Sequence, residues 1–206
     1  MNGTAHFAKG STFRSTIEFL RAEGGADAMA RVLAALPPEI SAAAQASHTT
    51  DEIDYDHLIA LWNAADTEMS ARDPLWMEKA GAYSIELGGA QMYGGILRKK
   101  DPTEFLTQSV SLFRLYYHPG DMTVVENANG RAVLRLIGFD ARTPLFCRRQ
   151  VGGLTKALEL AGGESPVVRH VRCALEGDAF CEWELSWTQA GDKALRETPG
   201  RGLEIR

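Results

Sequence analysis

From Ser11 to Tyr117, apolar side chains recur at three- and four-residue spacing, the period of a helix face. Ser11 is read as the cap of a helix carrying Phe13, Ile17 and Leu20, which Gly24-Gly25 ends. Ala26 to Leu36 places Met29, Val32, Leu33 and Leu36 on one face, and Pro37-Pro38 stops it. A short alanine-rich helix follows, then a loop at His48-Thr49-Thr50. Asp54 to Met69 turns Leu58, Leu61, Trp62 and Ala65 inward. Asp73-Pro74 and Asp101-Pro102 each set a capping carboxylate before a proline at the first helical position. The first of these helices is expected to carry Leu75, Trp76, Ala80, Tyr83 and Leu87. Gly88-Gly89 and Gly94-Gly95 should then interrupt it, because glycine is costly inside a helix. The second carries Phe105, Leu106, Val110, Phe113 and Tyr117 and ends at His118-Pro119-Gly120.

Beyond His118 the period changes. Met122 to Asn127 is short and β-branched, Asn129-Gly130 is a strong hairpin dipeptide, and Val133 to Ile137 form the returning strand. Thr143-Pro144 opens a helix to about Ala161. Pro166 to Ala174 and Ala179 to Thr188 make a second hairpin around Glu176-Gly177-Asp178. This order predicts an α+β fold. N-terminal helices pack on a four-stranded antiparallel sheet made of two hairpins with a helix between them. Residues 1–188 form one domain, and 189–206, polar and without an apolar face, a loose tail.

Composition narrows the class without changing that picture. The chain has 206 residues, 45% of them hydrophobic and 24% charged, which suits a folded domain rather than a disordered one. No apolar run reaches the roughly 18 residues of a membrane span. A net charge of −5 argues against nucleic acid as a partner. Met1-Asn2-Gly3-Thr4 lacks the charged-then-apolar pattern of an export signal, so a cytoplasmic location is expected.

The chemistry concentrates in three cysteines. Cys173 and Cys181 flank the last turn; if it is centred on Gly177 they face each other across two strands. Cys147 begins the preceding helix, where the dipole favours a thiolate. His170, three residues before Cys173, is the candidate fourth ligand of a closed zinc site. Strand parity opposes this, since positions 170 and 173 point to opposite faces unless the strand bulges or ends early. The alternative is a reduced cross-strand pair beside a buried Cys147; a disulfide is disfavoured in a reducing compartment.

Arg169-His170-Val171-Arg172-Cys173-Ala174-Leu175-Glu176-Gly177-Asp178-Ala179-Phe180-Cys181-Glu182-Trp183 resembles the closing hairpin of the 4-vinyl-reductase domain. Its superfamily includes the haem-NO-binding and Bet3-like domains. The whole chain is similar to an uncharacterised myxobacterial family of this length, through Lys9-Gly10, Ala35 to Glu39 and Tyr116-Tyr117. The resemblance implies helices over a four-stranded sheet, with a pocket between them. It also implies zinc, held by an upstream cysteine and an acid-x-x-Cys-x7-Cys run. Cys147, Cys173 and Cys181 match those positions, and His170 stands where the acid would be. Members pair or join complexes through helical faces, so a homodimer is implied. The haem branch carries a Tyr-x-Ser-x-Arg run that is missing here, so no haem is expected.

The reading that follows is a sensor or adaptor that binds a small apolar or aromatic ligand in a helix–sheet pocket. Trp62, Phe105, Phe113 and Tyr117 are the candidate lining residues. No catalytic residue is named. A reductase would need an electron source, and no Gly-x-Gly-x-x-Gly fingerprint follows a strand. A homodimeric protein-interaction module without a ligand is the alternative, and a reductase of a tetrapyrrole substrate the lesser one.

Overall fold

The computed structural model describes residues 6–92, 101–128 and 130–189. Gly94-Gly95, Asn129, the first five residues and all but the first residue of the expected tail lie outside them.

The chain alternates helices and short strands before the sheet. A strand β1 (Phe7–Lys9) leads into α1 (Gly10–Phe19), which runs on as a π turn over Leu20–Gly24. Then come α2 (Gly25–Ala35), α3 (Pro38–Ala46), β2 (Glu52–Asp54) and α4 (Tyr55–Met69). Asp54 caps α4 by accepting from the Asp56 N–H. The α5 helix (Trp76–Met92) passes straight through Gly88-Gly89, contrary to the expected break. Leu75 and Leu87, expected inward, are exposed, whereas Trp76 and Ala80 are fully buried. The next helix begins as read, with Asp101 accepting from Thr103 N–H. It is not continuous, however: α6 (Pro102–Ser109) gives way to a 3₁₀ turn at Val110–Leu112 and then α7 (Phe113–Tyr116). The cap of α1 is Lys9 rather than Ser11.

Four strands form the main antiparallel sheet: β4 (Asp121–Ala128), β5 (Arg131–Ile137), β6 (Gly163–Arg172) and β7 (Cys181–Gln189), in the order β4-β5-β7-β6. Between its hairpins runs α8 (Pro144–Leu160), capped by Thr143. The fold is thus α+β, with helices against one four-stranded sheet. A second sheet, β2-β1-β3 with β3 at Tyr117–His118, was not anticipated. Its strands are two or three residues long, and β1 pairs with β2 more than forty positions away and with β3 more than a hundred away. No local pattern announces such pairing.

The α5 and α8 helices touch backbone to backbone, and two glycines make that approach. A Cβ on Gly152 would sit 1.7 Å from the Glu78 carbonyl oxygen, and one on Gly81 would sit 2.1 Å from that of Arg149. Arg148 closes the same seam with paired hydrogen bonds to Glu78 at 2.9 and 2.7 Å. The helix that carries Cys147 and Arg149 is therefore held at a fixed height over the sheet.

Candidate metal cluster and ligand chamber

The start of α8 supplies one residue to each of two sites. Residues two positions apart in a helix lie about 200° apart around the axis, so Cys147 and Arg149 leave on opposite faces.

Cys147 faces the closing hairpin. Its sulfur lies 3.8 Å from that of Cys181, the first residue of β7. Four ligands about 2.3 Å from a zinc ion stand roughly 3.8 Å apart at tetrahedral corners. The ligand atoms of Cys147, His170, Cys173 and Cys181 all lie within 4.8 Å of one another. A bulge reconciles His170 with strand parity. It pairs with Trp183 and Arg172 pairs with Glu182, so Val171 is an extra residue, and the strand ends before Cys173. Cys173 and Cys181 are not a directly opposed pair. The ladder partner of Cys181 is Leu136, and Cys173 begins the turn.

That turn is built like a ligand cradle. Its Cys173 N–H donates to the Asp178 carboxylate at 2.8 Å, and the Cys173 carbonyl accepts from Glu176 and Asp178. The Ala174 N–H points at the Cys181 sulfur, 3.4 Å away. The His170 ring stacks on Trp183 at 5.0 Å, and its Nε2 is buried with no hydrogen-bond partner. The Cys147 and Cys181 sulfurs share a hydrogen bond, which pulls the Cys181 thiol below its ordinary range. The same bond, then burial, pushes Cys147 up. The downward shift expected at the helix start thus falls on Cys181 rather than Cys147. Burial also raises Cys173.

Arg149 faces the other way, into a chamber of about 410 Å³ enclosed by α1, α5, α6, α7, α8 and the inner face of the sheet. Phe105, Phe113 and Tyr117 line it, as do Leu106, Val110, Met122 and Leu134. Trp62 does not. It is fully buried, and its indole N–H donates to Thr16 Oγ1 behind α1. The polar lining comes largely from α1, where Ser11, Thr12 and Ser15 meet Arg149. Arg149 is 4% exposed and donates through Nη2 to Ser15 Oγ at 3.0 Å. Burial pulls its pKa down and pushes that of Tyr117, its electrostatic neighbour, up.

The sequence reading missed Arg149 and the α1 hydroxyls. Arg148-Arg149 follows Cys147 directly, and nothing in that pair shows which arginine turns inward. The available signal was its spacing, three and four residues from Phe146 and Leu145 on the stripe that continues to Gly152.

No protein-family model matches the chain, and no curated protein matches it. Solved structures do. An Fe(II) unliganded H-NOX protein from K. algicida shares 12% identity and a TM-score of 0.66, covering 88% of this chain and 97% of that one. An H-NOX protein from S. oneidensis in the Fe(II)NO ligation state shares 14% and a TM-score of 0.67, covering 88% and 99%. A structure described as probing heme distortion in the H-NOX family shares 14% and 0.65, covering 88% and 95%. The chain therefore has the fold of these H-NOX domains.

This corrects the expectation of no haem. That expectation rested on a missing sequence run, whereas the proteins that share the fold are haem proteins. The buried Arg149 suits a haem propionate. Of the residue types that ligate haem iron, the described lining holds Tyr116, Tyr117 and Met122, and no histidine.

Proposed function

We propose that this chain is a sensor domain that takes a small molecule into the helix–sheet chamber. A structural zinc at Cys147, His170, Cys173 and Cys181 locks the closing hairpin to α8. The chamber carries the sensor reading. It is of ligand size, mostly apolar, and has a few convergent polar groups at one end. The named neighbours support the reading, since one is described with NO on its iron. A haem in this chamber would supply an iron that takes a gas. The part this chain's own residues would play is Arg149 toward a propionate. Haem and a metal-free organic molecule are thus two occupants of one site.

The zinc reading rests on three thiols and one imidazole whose ligand atoms lie within 4.8 Å of one another, Cys147 and Cys181 at 3.8 Å. We also expect two chains per particle, on the resemblance to superfamily members that pair through helical faces. Elemental analysis and optical spectroscopy of the purified protein test both parts of the site. About one zinc per chain is expected, and below about 0.2 with three reactive thiols the metal reading is lost. Stabilisation by hemin or by a small apolar molecule is expected; a melting temperature that none of them shifts overturns the chamber reading.

A further inference from the structure

The chamber contains a charge without a counter-charge. Arg149 Nη1 is buried and has no hydrogen-bond partner. Among the described residues no carboxylate forms an ion pair with Arg149, and Glu18, which also lines the chamber, is engaged by Arg14. Guanidinium does not give up its proton in a protein, so the charge persists. An isolated buried charge costs several kcal/mol unless it is paired. The Trp62 ring at 5.7 Å and the Ser15 and Tyr117 hydroxyls, none of them a carboxylate, compensate it only in part. A second donor is idle at the same end, since Ser11 Oγ is buried and unpartnered and lines the chamber.

We infer that the missing counter-charge belongs to the ligand: the chamber takes an organic carboxylate with an apolar body, its anionic head on Arg149. This deepens the sensor reading and rests on it. The free Nη1 and the second hydrogen of Nη2 offer the parallel pair of donors that suits a carboxylate. Ser11 stands ready as a further donor. The remaining wall, with Phe105, Phe113, Met122 and Leu134, is apolar. A volume of about 410 Å³ lies within the range of sites that hold drug-sized ligands. A fatty or aryl-alkyl acid of that size supplies one carboxylate, and haem supplies the same chemistry through its propionates.

Calorimetric titration with matched probes tests the inference. Decanoate and 3-phenylpropanoate are each compared with the alcohol of the same skeleton, 1-decanol and 3-phenylpropan-1-ol. At least one acid is expected to bind roughly ten- to a hundred-fold tighter than its alcohol, as charged hydrogen bonds at a buried site allow. The Arg149→Met variant should erase that difference while keeping the alcohol's affinity, and should melt higher than the parent when empty. Hemin is the third arm. Binding that Arg149→Met weakens supports the carboxylate anchor with haem as its source, and hemin binding that the variant leaves unchanged counts against it. Equal affinities for acid and alcohol overturn the inference while leaving the chamber reading intact. No binding of any probe overturns both. If the variant does not fold, the acid–alcohol comparison on the parent decides alone.

Discussion

At the scale of single residues, the hairpin cluster turns on one extra residue. Val171 bulges out of β6 and returns His170 and Cys173 to the same side as Cys147 and Cys181. All four residues were legible from composition and spacing. The bulge was not, because a strand's alternation says nothing about where it breaks. Cys181→Ser is expected to melt at least about 10 °C lower than the parent, since losing a structural metal removes several kcal/mol of folding free energy. If Cys181→Ser and Cys173→Ser both melt within about 2 °C of the parent by calorimetry, the cysteines are only core residues. His170→Ala should be milder, because water can complete a tetrahedral zinc. Ligation also fixes a pH dependence. The buried Cys147 thiol holds its proton tightly, and a thiolate ligand must shed it, so zinc binding releases protons. Competition with a chelator should therefore show affinity falling steadily from about pH 8 to about pH 6. A flat profile would exclude thiolate ligation.

At the scale of elements, α8 carries most of the account. Its start was readable, because Thr143-Pro144 gives both a cap and a proline at the first position. Thr143→Ala is expected to cost about 1 kcal/mol in denaturant unfolding. Its closeness to α5 was not readable. The glycines that draw notice in the sequence, Gly88-Gly89, sit in an unbroken helix, and a Cβ on Gly88 would meet nothing. The glycines that matter are Gly81 and Gly152, single residues whose role exists only once two helices meet. Gly152→Ala should destabilise by about 2–3 kcal/mol or more, as overpacking against backbone allows little relief. The matching Gly88→Ala should be neutral or slightly stabilising, because alanine favours the helix. Equal midpoints for the two variants would mean that the seam is looser than the structure shows.

At the scale of the whole molecule, the α+β order, both main hairpins and the intervening helix follow from local periodicity and turn chemistry. The β2-β1-β3 sheet, the broken α6–α7 helix and the chamber do not. They depend on contacts between segments far apart in the chain. The same holds for function. Phe105, Phe113 and Tyr117 meet at one cavity, yet Trp62, equally aromatic and equally well spaced, packs behind it. Haem shows the same limit from the other side, because a missing run of residues said less than the shared fold. The architecture places two candidate sites on opposite faces of one helix start, so that a metal in the proposed cluster would fix the helix from which Arg149 reaches into the chamber.

Native mass spectrometry of the purified protein tests that arrangement most directly. The expected mass is two chains, each with one zinc and a small molecule that leaves when the protein is denatured. A native mass equal to the bare polypeptide, with all three thiols free to react, would contradict it.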